Sequence, residues 1–278
     1  MNPGVGRRTF ITTSLAAVGA STIAQAAEEA PAPAKREVYA LHVYQFKDAD
    51  MARRADDYFQ NALIPALQRA GSGPVGVLVE IIKPSVPAPA SATPSPTTPA
   101  YYVLVPLASI DAAAELPKSL AADAEYRKAG EAFLNAPPKD PGYTNLEVRL
   151  MLAAEFLPKL EVPEKQESRL FELRRYRSPS EPAFRKKLEM FGKGGELAIF
   201  RRVGLNPVFY GEMLAGPDMP NITYMLSYAD AAAKASAWKT FKSDPDWHTL
   251  STTPGYTDAE IIENIKSVML KPTPYSQI

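Results

Sequence analysis

The sequence predicts an α+β fold built from two tandem βαββαβ repeats. Three observations carry this. Residues 169–250 alternate between strand-like and helix-like patterning in the order strand, helix, strand, strand, helix. The same order begins upstream at Val38. Matched residues recur in register: Tyr39, Leu41 and Tyr44 align with Phe171, Leu173 and Tyr176, and Arg69, Gly71, Pro74 and Val75 with Arg202, Gly204, Pro207 and Val208. Pro141-Gly142-Tyr143-Thr144 returns as Pro254-Gly255-Tyr256-Thr257. One match could be chance, but a series in order is duplication. Each unit is then a split βαβ, or ferredoxin-like, motif with a four-stranded sheet and helices on one face. The bare face must be covered. Two units in one chain can cover each other as a barrel; separate sandwiches that pair with other chains are the alternative.

The expected boundaries are a first repeat over 37–157, a linker over 158–168 and a second repeat over 169–278. Val38 to Phe46 alternates and is rich in Val, Tyr and Phe, so it reads as a strand. Asp48 or Asp50 can cap the next helix, which Pro65 should kink and Gly71 should end. Strands are expected over 74–82, 101–107 and 145–156. The Ala-rich stretch 111–132 reads as helix interrupted near Pro117, and the Pro, Ala, Ser and Thr of 84–99 as an exposed loop. In the second repeat Ser180 can cap a helix that Gly192, Gly194 and Gly195 break. Strands follow over 207–214 and 222–228, then a helix over 230–250 broken near Pro245. A last strand is expected over 261–270, although 260–266 could equally be a helical turn.

The first 26 residues have the layout of a twin-arginine export signal: Arg7-Arg8, a short apolar run over 14–24, and Ala24-Gln25-Ala26 as a cleavage site. The run is too short to span a bilayer. Residues 27–36 read as a linker. These features predict a periplasmic or extracellular protein with no stable membrane span after cleavage. Removing the signal leaves 29 basic and 31 acidic residues, so nothing in the charge favours nucleic acid. There is no cysteine, which excludes disulfides, thiolate metal sites and a cysteine nucleophile.

The second repeat resembles the NIPSNAP family. The likeness rests on Phe171-Glu172-Leu173-Arg174-Arg175-Tyr176, on Arg202-x-Gly204, and most specifically on Trp238-x-x-Phe241-x-x-Asp244-Pro245-Asp246-Trp247. The first repeat looks like a degenerate copy, with His42 in place of Arg174, Pro117 of Trp238 and Tyr126 of Trp247. The resemblance implies a dimeric α/β-barrel fold, here a pseudo-dimer of tandem repeats, in a superfamily that also holds small monooxygenases and haem-binding chlorite dismutases. It implies no established activity. The family's association with vesicle trafficking and mitochondrial quality control does not carry over to an exported protein.

The face of each sheet turned away from the helices is expected to line the barrel interior. It is expected to present His42 and Tyr44 from the first repeat and Glu172, Arg174 and Tyr176 from the second. Together these could bind a small anionic or hydroxylated molecule. Glu172 and Arg174 could instead form an internal ion pair. His42 could serve as a base, and haem is the one cofactor it leaves open. Trp238, Phe241 and Trp247 read as anchors of helix to sheet. The two histidines lie in different repeats without metal-ligand spacing, and no phosphate loop or nucleophile elbow is present. The leading expectation is a small-molecule-binding or protein-interaction module, open to homo-oligomerisation. The alternative is an oxygenase or isomerase-like enzyme using the barrel interior.

Overall fold

The computed structural model describes Met1 and residues 34–82 and 98–278. The expected export signal, most of the first linker and most of the Pro-rich loop lie outside the described residues.

The first repeat opens with β1 (Val38–Gln45) and α1 (Ala49–Tyr58). Asp48 caps α1 by accepting from the Met51 amide at 2.9 Å. A π-helical turn over Phe59–Leu63 leads into α2 (Ile64–Arg69), with Pro65 in its first turn. Pro65 has no amide to continue the ladder, and the helix passes it by widening to the π-turn just before it. Gly71, at φ 77°, turns the chain out of α2. β2 (Gly76–Glu80) and β3 (Tyr101–Leu107) follow, then α3 (Ile110–Ala122), capped by Ser109. The expected interruption near Pro117 does not occur, and α3 runs through it. The break falls at Asp123, which is extended and caps α4 (Ala124–Ala129) through the Tyr126 amide at 2.9 Å. A proline removes one hydrogen bond; a capping aspartate supplies a new start, and here the second decides. The short α5 (Glu131–Leu134) and β4 (Asn145–Ala153) complete the repeat.

The second repeat follows the same plan. It contains β5 (Leu170–Arg177), α6 (Glu181–Phe191), α7 (Glu196–Arg202), β6 (Asn206–Ala215), β7 (Asn221–Tyr228), α8 (Ala231–Ser243) and α9 (Pro245–Ser251). The ambiguous final segment is both things in turn: α10 (Asp258–Ile261), held by a Thr257–Glu260 capping box, then β8 (Asn264–Pro272).

All eight strands join one closed barrel in the order β1-β3-β2-β8-β5-β7-β6-β4. Each repeat supplies four adjacent strands, and every pairing is antiparallel. The seams are β2 with β8 and β4 with β6, the latter aligning Met151 with Met213. The bare faces do hide each other. Tyr39, Leu41 and Val43 meet Phe171, Leu173, Phe209 and Met225 in one buried cluster inside the barrel. Ile278 joins them beside Gly76, where an added Cβ would lie 2.5 Å from the Ile278 side chain. Burying side chains of this size contributes about 1.5–3 kcal/mol each, which joins the halves into one body. The helices pack outside the barrel, leaving one helix–sheet layer per repeat.

Candidate functional site

The barrel interior is packed with side chains, and the five residues expected to line it do not. Tyr44 belongs to the cluster under α1 and α2, and Tyr176 to the cluster under α6 and α7. His42, Glu172 and Arg174 point to the same helix layers, because their strand neighbours Leu41, Val43, Phe171 and Leu173 point inward. The face assignment is therefore reversed. Alternation separates two sets of side chains, but in this barrel both faces are buried. The interior is walled by sheet alone and takes the mostly apolar set. The polar set needs partners, and the helix layers supply them.

In the second repeat Glu172 and Arg174 find their partners there. Glu172, 3% exposed, accepts from Ser267 Oγ at 2.7 Å, Arg174 Nη1 at 2.8 Å, Tyr228 at 2.9 Å and Trp238 Nε1 at 3.0 Å. Lys234 Nζ lies 3.4 Å away. Burial alone would raise the Glu172 pKa, but these hydrogen bonds and the Arg174 and Lys234 charges hold it below its ordinary value. Arg174 also donates to Tyr224 and Tyr176, each at 2.9 Å, and stacks 4.6 Å from the Trp238 ring. So Glu172, Arg174 and Tyr176 do come together, with their polar groups committed to one another. Trp238 is more than the packing anchor expected, since its N–H belongs to this network. Phe241 and Trp247 pack at 4.4 Å between ring centroids.

The first repeat has none of this. α3 and α8 have equal length and matching caps at both ends, so their positions correspond. Strand register fixes the rest. Glu172 becomes Ala40, Arg174 becomes His42, Tyr224 becomes Val103 and Tyr228 becomes Leu107. Ser267 becomes Val148, Lys234 becomes Ala113 and Trp238 becomes Pro117. Nearly every exchange removes volume, and all remove charge or polarity, with the guanidinium of Arg174 replaced by an uncharged imidazole. The result is a cavity of about 1200 Å3 between the sheet and α3–α5. Ala40, His42, Tyr44, Tyr58, Ala113, Pro117, Tyr126 and Val148 are among its walls. No residue of α3 is fully buried, whereas α8 buries Ala237 and Phe241. Ile110 and Val148, 51% and 47% exposed, mark how open the cavity is.

His42 and Tyr44 thus share a site, separate from the other three residues. The His42 Nδ1 is buried and has no hydrogen-bond partner among the described residues. Burial lowers its pKa from 6.5 to about 4, so the imidazole is uncharged near neutrality. Tyr58 and Tyr126, which the sequence did not single out as site residues, face the cavity with their hydroxyls 2.7 Å apart. Among the described residues no three His, Asp or Glu side chains converge as metal ligands, and no helix is long and apolar enough to cross a membrane.

Three kinds of comparison bear on identity. No curated protein matches the chain. The fold is shared with a provisionally assigned monooxygenase from Fusobacterium nucleatum subsp. nucleatum, 11% identical, with a TM-score of 0.54 over 86% of this chain and 93% of that one. It is also shared with an anthrone oxidase-like protein, 10% identical, with a TM-score of 0.51 over 87% of this chain and 93% of that one. A NIPSNAP family protein from Agrobacterium tumefaciens is 21% identical and covers 39% of this chain and 96% of its own, with a TM-score of 0.34. The NIPSNAP family model matches residues 171–277. The second half of the chain is a NIPSNAP domain.

Proposed function

We propose that the protein binds a small, largely apolar molecule in the helix–sheet cavity of the first half-barrel, while the second half serves as scaffold. The carrying observation is the pair of layers: one is filled around the Glu172–Arg174 network, and its duplicate is emptied at the same positions. The cavity is large enough for a drug-sized ligand, has mostly apolar walls and holds an unpartnered imidazole. One chain closes the barrel, so no second copy is needed to cover the sheets. The export layout of residues 1–26 supports a periplasmic or extracellular setting.

The test is titration with phenylnaphthylamine, an uncharged probe that fluoresces when it leaves water. Wild type should brighten it. Ala113→Trp, which returns bulk to the layer, should abolish the effect while keeping the melting temperature. A wild-type protein that leaves the probe dark sinks the reading.

A second reading is oxygenase or isomerase-like chemistry, of which the names of the monooxygenase and anthrone oxidase-like proteins that share the fold suggest the oxygenase form. What favours it is His42, which could take a proton from an acidic substrate. The same residue argues for binding first, because a base held near pKa 4 is a weak proton acceptor.

A further inference from the structure

We infer that the ligand of this cavity is an uncharged, mostly hydrocarbon molecule carrying a hydroxyl or carbonyl group, anchored by Tyr44, the Tyr58–Tyr126 pair and His42. This rests on the binding reading above and narrows it to a chemical class.

The argument is a count of hydrogen-bonding capacity. Tyr58 and Tyr126 carry two hydroxyl protons, and their mutual contact at 2.7 Å uses one. The other has no acceptor among the described residues. The Tyr44 side chain lines the cavity, and its hydroxyl makes no hydrogen bond to a described residue. His42 adds a third unpaired group, Nδ1. All four residues line the cavity, and the His42 and Tyr44 rings lie 6.4 Å apart between centroids. The two histidine-side and phenol-side functions can give a proton to a carbonyl oxygen, or both give and accept with a hydroxyl.

Charge excludes the competing class. Among the described residues, the strand side of the cavity holds no ionised side chain. Arg127, Lys128 and Glu131 line the cavity only from α4 and α5, where all three are exposed. A carboxylate or ammonium buried against Tyr44 would have no counter-charge there, and an unpaired buried charge is far costlier than an unpaired hydroxyl. The remaining wall, including Leu107, Leu120 and Leu150, suits hydrocarbon.

Three probes sharing one ring system decide the matter: naphthalene, naphthol and naphthoate, each titrated into the full chain at pH 7. Naphthol should bind about tenfold more tightly than naphthalene, the worth of one net hydrogen bond. Naphthoate should bind more weakly than either. Tyr44→Phe and Tyr126→Phe should each bring naphthol towards naphthalene and leave naphthalene unchanged, a readout that a folding defect would not give. If naphthol and naphthalene bind equally, or naphthoate binds tightest, the class is wrong and the cavity remains a binding site. If none of the three binds, the binding reading fails, and this inference with it.

Discussion

In the second half-barrel the layer between sheet and helices is closed by Glu172, Arg174, Trp238 and their tyrosines; in the first the same layer stands open around His42. Yet the frames match. Arg69 clasps Asp123 at 2.6 Å, and Arg202 clasps Asp244 at 2.7 Å. Gly71 and Gly204 turn the chain at φ 77° and 84°. Ser109 and Asp230 cap α3 and α8. Duplication kept the parts that fix the backbone and changed the parts that fill the layer. A cavity costs packing energy. A fused, fully packed twin gives the barrel a half that can carry that cost.

The comparison breaks most easily at Glu172. Glu172→Ala leaves Arg174, whose side chain is 15% exposed, without its carboxylate. Removing one partner of a buried pair costs about 3–5 kcal/mol. Denaturant unfolding should show a loss of that order. Ala40→Gly, at the same position of the first half, should cost no more than about 1 kcal/mol, since it deletes one methyl beside an open cavity. Equal losses would mean that the second layer does not carry the stability assigned to it.

Much of this was legible in the sequence. The repeat and the barrel closure follow from comparing the halves, and the caps at Asp48 and Ser180 and the breaks at Gly71, Gly192 and near Pro245 follow from local chemistry. The direction of the strand faces was not legible. Leu41 and His42 differ in polarity, but each ends up covered, and a polar residue can be covered by a helix as well as by a sheet. The cavity was hidden for a related reason. Ala40, Ala113 and Val148 look like ordinary core residues, and only comparison with Glu172, Lys234 and Ser267 shows them as losses. The available signs were Pro117 standing where the second copy has Trp238 and His42 where it has Arg174.

The next effect belongs to His42. Its pKa is about 4 in the folded chain, against an ordinary 6.5. Above pH 6.5 the imidazole is neutral in both folded and unfolded chains and costs nothing. As pH falls from 6.5 towards 4 the unfolded chain takes up the proton and the folded one does not, so stability declines and then levels off below 4. At 1.36 kcal/mol per unit the limit is about 3 kcal/mol, less if water in the cavity solvates the ring. His42→Leu should lack that component, and the difference between the two unfolding profiles isolates it from the carboxylates. A flat difference over this range would mean that the imidazole is solvated, and would remove His42 burial from the comparison. No such component is expected from Arg174, which is charged throughout.

The smallest effect concerns the clasps, which look identical in the two halves and are not. Asp123 is held below its ordinary pKa chiefly by the Tyr126 amide, with Arg69 contributing less. Asp244 is held down chiefly by Arg202, with the Trp247 amide contributing less. Both pairs sit at the surface, so neither arginine should matter much to global stability. Local titration can still tell them apart. Arg202→Ala should raise the Asp244 pKa more than Arg69→Ala raises that of Asp123, as read from carboxyl carbon shifts in an NMR titration. An equal or larger rise at Asp123 would show that the arginine does the same work in both copies. The divergence between the halves would then be confined to the layer around His42 and Arg174, without reaching the frame that holds it.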